Sequence, residues 1–498
     1  MANTTTIAAI STAMTNSGIG IVRMSGDEVF TIIDKIFKGK EKLSEAATHT
    51  IHHGYIVEYE PGGRFLWNKD EPEGRFLRHR DEPEGQTLRI MDEVLVMIMR
   101  APHTYTGEDT VEIDCHGGTF VLTKILENVI KAGAKPAEPG EFTKRAFLNG
   151  KMDLSQAEAV IDVINSKNEY ALKSSISQLK GSVRNKITTI RNKIIYHTAF
   201  IETALDDPEH ISVDGYGETL KVAIDEILDE LKELIDSADD GKTIKEGIQT
   251  VILGKPNAGK SSLLNVLTGK NRAIVTDIAG TTRDILEEQI QLQGLSLNVI
   301  DTAGIRETTD LIEQMGVEKA KEYASEADLI IYVVDASRDL DENDDKILKL
   351  ILGQKAIILL NKADLETIIT KEILQNRIKK VQKEMKNEQN LANIPAIEIS
   401  AKKESGIKEL ESTLKSMFLH GDIQMNDEVY ITNIRQKAAL QDAFESLKKV
   451  LISIEDNMPE DFYSIDLMDA YESLGNITGE TIGEDLANEI FSKFCMGK

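Results

Sequence analysis

One loop constrains this chain more than any other stretch. Gly254-Lys255-Pro256-Asn257-Ala258-Gly259-Lys260-Ser261 fits G-x-x-x-x-G-K-[ST], the phosphate-binding P-loop. It follows the apolar run Ile248-Gln249-Thr250-Val251-Ile252-Leu253, short enough for a buried strand. It precedes Ser262-Leu263-Leu264-Asn265-Val266-Leu267, which reads as a helix start. Between strand and helix, the glycines let backbone N–H groups close on phosphate oxygens at the positive end of the helix. Lys260 would reach the β- and γ-phosphates, and the Ser261 hydroxyl would ligate Mg²⁺. The bland alternative is a Gly-rich turn that binds nothing.

Four further stretches follow in the order expected of a GTP-binding domain. Gly280-Thr281-Thr282-Arg283-Asp284 offers a threonine hydroxyl to the metal and γ-phosphate, and Asp301-Thr302-Ala303-Gly304 offers the acidic partner Asp301. In Asn361-Lys362-Ala363-Asp364, a carboxylate accepts from the two N–H groups on guanine's Watson–Crick edge. Adenine has no such pair, so ATP leaves that acceptor unpaired. Ser400-Ala401-Lys402 would bring a backbone N–H to the guanine carbonyl. The expected GTP contacts are Asn257, Ala258, Gly259, Lys260, Ser261, Ser262, Thr276, Thr281, Thr282, Asp301, Thr302, Ala303, Gly304, Asn361, Lys362, Asp364, Ser400, Ala401 and Lys402. Ile305 stands where many GTPases keep a water-orienting glutamine. Another polar residue must position the water, and some cation must replace the arginine finger; Glu307 and Glu313 are candidates on their carboxylates, Arg283 and Arg306 on charge alone.

The 498 residues suffice for several domains, each burying its own core. The periodicities divide them into an α+β segment over 1–149, helices over 150–245, an α/β segment over 246–418 and helices again over 419–498. Asp153 reads as an N-cap, amphipathic runs pass through Ile187 to Ile195 and Leu220 to Ile235, and Asp239-Asp240-Gly241-Lys242 reads as the end of the second run. Helices on both sides of the α/β segment imply a module inserted into one discontinuous helical domain. The strand at 110–115 is expected to bury Val111, Ile113 and Cys115 and to turn Glu112 to water. Arg23 shares a strand face with Ile19 and Ile21, where a lone charge needs a partner or ligand. An 11-residue repeat at about 60–85 reads as a duplicated excursion at a loop or hairpin tip; the alternative has Trp67, Arg78 and Arg80 touching RNA. Asp339, Asp341 and Asn343 imitate a calcium loop but lack its glycine and closing glutamate. A net charge of −26 argues against a broad nucleic-acid footprint, though not against a local patch or a partner that delivers RNA. Two distant cysteines form no disulfide framework or zinc spacing. With neither a secretory signal nor a long apolar run, the expected compartment is the cytoplasm.

Together these residues resemble the MnmE (TrmE) family of tRNA modification GTPases over nearly the whole chain. The resemblance rests on the P-loop with its Ser-Leu-Leu-Asn extension, residues 276–284, Thr106-Gly107-Glu108-Asp109, residues 139–149, and the terminal Phe494-Cys495-Met496-Gly497-Lys498. It implies an N-terminal folate-binding-like α+β domain, a discontinuous helical domain and an inserted Ras-like GTPase domain. It implies that Asn257, Thr276, Ile278 and Thr281 hold K⁺, that Ser261 and Thr282 hold Mg²⁺, and that Glu313 orients the attacking water through a bridging water. K⁺ would do the electrostatic work of an arginine finger. Arg23, Glu112, Lys151 and Lys498 would bind a tetrahydrofolate one-carbon donor, 5,10-methylene- or 5-formyl-tetrahydrofolate.

The resemblance further implies a homodimer that works with the FAD-containing MnmG (GidA), in a heterotetramer or larger complex. The product is a 5-aminomethyl or 5-carboxymethylaminomethyl group on the tRNA wobble uridine. Cys495 is a candidate reactive thiol, weighed against a small buried apolar residue. Two other functions compete: a GTP-regulated binding switch, as in ribosome assembly, and a folate-dependent one-carbon enzyme that GTP only regulates.

Overall fold

The computed structural model describes residues 5–61, 86–212, 215–270, 288–292, 294–300, 323–385, 394–418, 430–480, 484–492, 494, 495 and 497. Two compact units divide it: Met1–Ile161 with Thr478–Lys498, and Asp162–Ile477.

The first unit is built on a seven-stranded sheet. Its strands are β1 (Ile7–Ile10), β2 (Ser17–Ser25), β3 (Phe37–Gly39), β4 (Thr50–Pro61), β5 (Gln86–Met99), β6 (Thr110–Gly117) and β7 (Lys135–Pro136), in the order β3-β4-β5-β6-β2-β1-β7. Helices α1 (Val29–Ile36) and α2 (Thr119–Ala132) cover one face, packing Ile33, Leu122 and Ile125 on Val22, Met24, Val96 and Ile113. The buried face of β2 is therefore the one with Gly20, Val22 and Met24. Arg23 lies on the other face, with exposed Ile19, so its charge stays out of the core beneath α1 and α2. β4 pairs with β5 up to Pro61 opposite Gln86, so the repeat lies between the ends of a hairpin; residues 62–85 themselves, with Trp67, Arg78 and Arg80, fall outside the described residues. Helix α3 (Glu141–Leu148) follows, and α4 (Leu154–Asn165) starts on a reciprocal cap: Asp153 Oδ1 accepts from Gln156 N–H at 3.0 Å while Gln156 Oε1 accepts from Asp153 N–H at 3.1 Å.

In the second unit, α5 (Glu169–Leu179), α6 (Ser182–Asp206) and α7 (Tyr216–Glu246) precede the α/β module. Expectation and structure part at α7. Asp239-Asp240-Gly241-Lys242 does not end it, and the helix runs to Glu246. Gly241 serves close packing instead of a stop: a Cβ there would lie 2.1 Å from the Ile431 carbonyl oxygen.

The module's sheet contains β8 (Ile248–Leu253), β9 (Glu288–Leu292), β10 (Leu295–Val299), β11 (Leu329–Asp335), β12 (Ala356–Asn361) and β13 (Ala396–Glu398), ordered β13-β12-β11-β8-β10-β9. All neighbours are parallel except the β9–β10 hairpin at the edge. Helices α8 (Lys260–Lys270) and α11 (Ile407–Phe418) cover one face; α9 (Glu342–Ile351) and α10 (Lys371–Glu384) cover the other. Burial on both faces explains why β11 and β12 are continuous apolar runs. After the module, α12 (Ile434–Glu455) and α13 (Glu460–Thr478) share one core with α6 and α7, so the helical body is assembled from both sides of the insertion. Helix α14 (Glu484–Ser492) and the terminal residues belong to the first unit, where Phe491 and Phe494 pack with Leu154 and Ala157.

Candidate nucleotide site and a second polar site

The P-loop leaves β8 and enters α8, as the motif requires. Asn257 takes φ +61° and Gly259 φ +101°. A Cβ on Gly259 would lie 2.1 Å from Asn361 Nδ2, so only glycine fits beside that amide. Asn361 joins three loops: its Nδ2 donates to the carbonyl of buried Ala258 at 2.8 Å, and its Oδ1 accepts from Ala401 N–H at 3.1 Å. Asparagine at the end of β12 thus holds the phosphate loop and the loop after β13 in one frame.

Lys260 Nζ donates to the carbonyls of Gly254 and Lys255, the latter at 3.0 Å, and so folds over the loop it belongs to. Ser261 and Ser262 occupy the first turn of α8. Lys362 has φ +66° and its Nζ reaches Asp335 Oδ2 at 2.6 Å. Burial raises the Asp335 carboxyl, but hydrogen bonds from Lys362 and Ser337 outweigh it and hold the group below its ordinary value. Asp364 Oδ1 accepts from Ser400 Oγ at 2.6 Å, which, ahead of a small opposing effect of burial, keeps that carboxylate low and ionised. Ser400 Oγ also accepts from Lys403 N–H at 3.1 Å, and Lys402 is exposed on the same loop.

The acidic stretch after β11 has a role that sequence reading missed. Asp341 caps α9 and forms a capping box with Asp344. Both carboxylates bind Lys255 of the P-loop, at 3.0 and 2.7 Å, and Tyr332 donates to Asp344 Oδ1 at 2.6 Å. No group of His, Cys, Asp and Glu fit for a metal occurs among the described residues. Of the expected nucleotide residues, Thr276, Ile278, Thr281, Thr282, Asp301, Thr302, Ala303, Gly304 and Glu313 lie outside the described residues, as do Arg283, Arg306 and Glu307.

A second polar site forms in the first unit. Arg23 Nε meets Glu112 Oε1 at 2.7 Å, with both side chains 15% exposed. Glu112 is therefore not on a wet face: its cross-strand neighbour is the cation that its charge requires. Arg23 Nη1 also donates to the Gly497 carbonyl at 3.1 Å, which accepts from Ser11 Oγ at 3.1 Å as well. The guanidinium lies 5.8 Å from the Tyr105 ring centroid and 5.7 Å from that of Phe142. Lys151 instead donates to the Pro102 carbonyl at 2.9 Å, and Lys498 lies outside the described residues.

The stretches 106–109 and 139–149 meet beneath this site. Arg145 binds Glu108 at 3.0 Å and Glu141 at 2.8 Å, Ser25 Oγ donates to Glu108 at 2.9 Å, and Asn149 Nδ2 donates to the Thr106 carbonyl at 2.8 Å. Gly140 N–H donates to the Cys495 carbonyl at 3.3 Å. Cys495 is exposed, which overturns the buried reading. Cys115 is the buried thiol: desolvation first, then the charge of Asp92, push it up to about 12.

Fold and site define a class: an α/β P-loop nucleotide-binding module carried within a helical body, in a chain that also has an N-terminal mixed sheet. The family model described as "GTP-binding protein TrmE N-terminus" matches residues 6–151, and "MnmE helical domain" matches residues 154–495. A curated relative from Lachnoclostridium phytofermentans, "tRNA modification GTPase MnmE", is 55% identical over 99% of this chain and 100% of its own length. Relatives of the same description from Acetivibrio thermocellus and Clostridioides difficile are 46% and 44% identical, each over 99% of both chains. The chain belongs to the MnmE family.

Proposed function

We propose that this chain hydrolyses GTP and that hydrolysis serves the modification of tRNA, as in the relatives' description. The observation that supports the nucleotide reading best is the Asn361 frame. It ties the P-loop to the loop after β13, whose Ser400 holds the ionised Asp364. In the proposed complex Lys260 exchanges the Gly254 and Lys255 carbonyls for β- and γ-phosphate oxygens, which need its charge more. Asp364 accepts from the guanine edge with the oxygen that Ser400 leaves open. Bound Mg²⁺ neutralises phosphate charge; Ser261, in the first turn of α8, and Thr282 would hold it. Asn257, fixed at φ +61° in the loop, would hold K⁺ with Thr276, Ile278 and Thr281, and Glu313 would orient the attacking water.

The finer reading extends to the first unit. Arg23 and Glu112 present one cation and one anion side by side, which suits a tetrahydrofolate derivative bearing both acceptors and N–H donors. Lys151 and Lys498 would complete that site. The chain would act as a cytoplasmic homodimer with FAD-dependent MnmG, installing 5-aminomethyl or 5-carboxymethylaminomethyl groups on the wobble uridine. A charge of −26 suits a protein that shares RNA binding with a partner. No helix among the described residues is long and apolar enough to cross a membrane.

The test measures hydrolysis of GTP and ATP in K⁺ and in Na⁺, then wobble nucleosides with MnmG and tRNA added. GTP preference, a roughly 10- to 100-fold advantage of K⁺, and modified wobble uridines are expected. Equal rates on GTP and ATP would overturn the nucleotide reading. Equal rates in both salts would remove the K⁺ site, and unmodified uridines would remove the modification role.

A further inference from the structure

The P-loop carries a second lysine that the phosphate-binding pattern does not require. Lys255 Nζ meets Asp341 Oδ2 at 3.0 Å and Asp344 Oδ2 at 2.7 Å, both at the start of α9. The Asp344 side chain is 2% exposed, and both of its oxygens are met. Tyr332, wholly buried on β11, donates to Oδ1 at 2.6 Å, and Asp341 N–H donates to Oδ2 at 2.8 Å. A buried carboxylate needs a cation as well as hydrogen bonds, and here the cation comes from the phosphate loop. Helix α9 is itself fixed: Ile347, Leu348 and Ile351 are buried in the core, and Arg377 of α10 binds Asp345 through two N–H groups, at 2.6 and 2.7 Å.

The backbone of the same lysine works on the inside of the loop. The Lys255 carbonyl accepts from Ala258 N–H at 3.2 Å, closing the turn in which Asn257 holds φ +61°. It also accepts from Lys260 Nζ at 3.0 Å. Gly254, just before it, lies against β11: a Cβ there would be 2.4 Å from the Val333 carbonyl oxygen. Ala258 is held from the other side by Asn361. The turn over 255–258 is therefore fastened at both ends, at Ala258 by an amide and at Lys255 by two carboxylates. A loop already set in its bound shape loses less conformational freedom when a ligand arrives.

We propose that Lys255 is a positioning residue for the nucleotide's phosphates, with Asp341 and Asp344 of α9 as its anchor. It presets the turn whose N–H groups close on the α- and β-phosphates, and it places the carbonyl that Lys260 leaves to reach them. Two carboxylates outweigh its single charge, so Lys255 acts through its backbone position and not as a cation for phosphate. The role toward phosphate rests on the function proposed above; the anchor does not.

The test titrates the full chain with fluorescent GDP and a fluorescent non-hydrolysable GTP analogue, with urea unfolding of each variant alongside. Lys255→Met keeps the reach of the side chain and removes its charge. Affinity for both nucleotides is expected to fall roughly 10-fold and by the same factor, because both carry the α- and β-phosphates. Lys255→Arg, able to meet both carboxylates, should stay within about twofold of wild type. Asp341→Asn keeps a good N-cap and removes one of the two charges, so the chain folds and affinity should fall about threefold. Wild-type affinity in Lys255→Met, with or without a lower urea midpoint, would overturn the proposal, since the ion pairs would then hold α9 and nothing more. A loss confined to the GTP analogue would overturn it too, by placing the effect at the γ-phosphate, as would failure of Lys255→Arg to restore binding. If Lys255→Met does not fold, Asp341→Asn decides on the same terms. Absence of guanine-nucleotide binding by wild type would overturn the functional reading and this role together; equal binding by wild type and variants would remove this role alone.

Discussion

The nucleotide loops and the Arg23 site assemble in opposite ways. In the module each described functional group sits at a strand end or a helix start, and short-range backbone geometry aims it. Gly259 and Asn257 adopt left-handed φ values because the loop must turn there. At the other site, Arg23 finds Glu112 89 residues away and the Gly497 carbonyl 474 residues away. Neither partner has a local pattern that announces it. The lesson is that chemistry written into backbone turns is legible residue by residue, whereas chemistry made by cross-strand neighbours and a returning chain end is legible only once the sheet register is known.

The largest expected effect breaks the local side of this comparison. Asp364→Asn removes the carboxylate that guanine's two N–H groups need, and GTP affinity should fall on the order of 10³-fold. A triphosphate whose base carries a carbonyl in place of the 2-amino group should regain much of that loss, because the new amide donates where the carboxylate accepted. Calorimetric titration with both nucleotides checks this. Equal GTP binding by wild type and variant would show that the base is read elsewhere.

Next in size is the long-range side. Arg23→Ala leaves Glu112 half-buried without its cation and should destabilise the first unit by about 2 kcal/mol, below the 3–5 expected of a fully buried pair. Urea unfolding measures it, and folate-derivative binding should be lost in the same variant. An unchanged midpoint would mean that the pair adds nothing to the sheet. Gly497→Ala should be smaller, about 1 kcal/mol. At φ +83° its Cβ would lie 2.4 Å from the Ile10 carbonyl, pushing the Gly497 carbonyl off Arg23. If Gly497→Ala weakens folate binding without touching GTP binding, the two sites assemble as independently as their contacts suggest.

What the sequence disclosed follows the same division. β1, β8 and the starts of α4 and α8 were legible because alternation, apolar runs and caps are local signals. Asp239-Asp240-Gly241-Lys242 misled because a glycine among carboxylates looks like a helix stop, while its true cause, the Ile431 backbone pressed against it, comes from the far side of the inserted module. Strand β9 and helix α5 carried no distinct pattern; β9 is an edge strand of mixed polarity, and α5 buries Ala171, Ser175 and Gln178 while Leu172 and Ile176 are exposed. Glu112 was misread for want of its register with Arg23, and the Asp341–Asp344 box was dismissed as a failed metal loop when its partner was Lys255 of the P-loop.

The smallest expected effect tests an ion pair that ties two strand ends beside the nucleotide loops. Lys362, at the end of β12, is held by Asp335 at the end of β11, 27 residues away. Burial opposes ionisation of Asp335, but Lys362 and Ser337 lower its pKa overall, so the folded value lies below the unfolded one. The sign follows: the pair contributes stability above the ordinary carboxylate pKa and loses it as pH falls through the lowered folded value. Wild type should therefore lose stability faster than Asp335→Asn on acidification from about pH 5 to pH 2, with the curves parallel near neutrality. Denaturant midpoints across that range measure the difference. Parallel curves throughout would mean that Lys362 holds its left-handed backbone without Asp335, making the nucleotide loops as self-contained as their motifs imply.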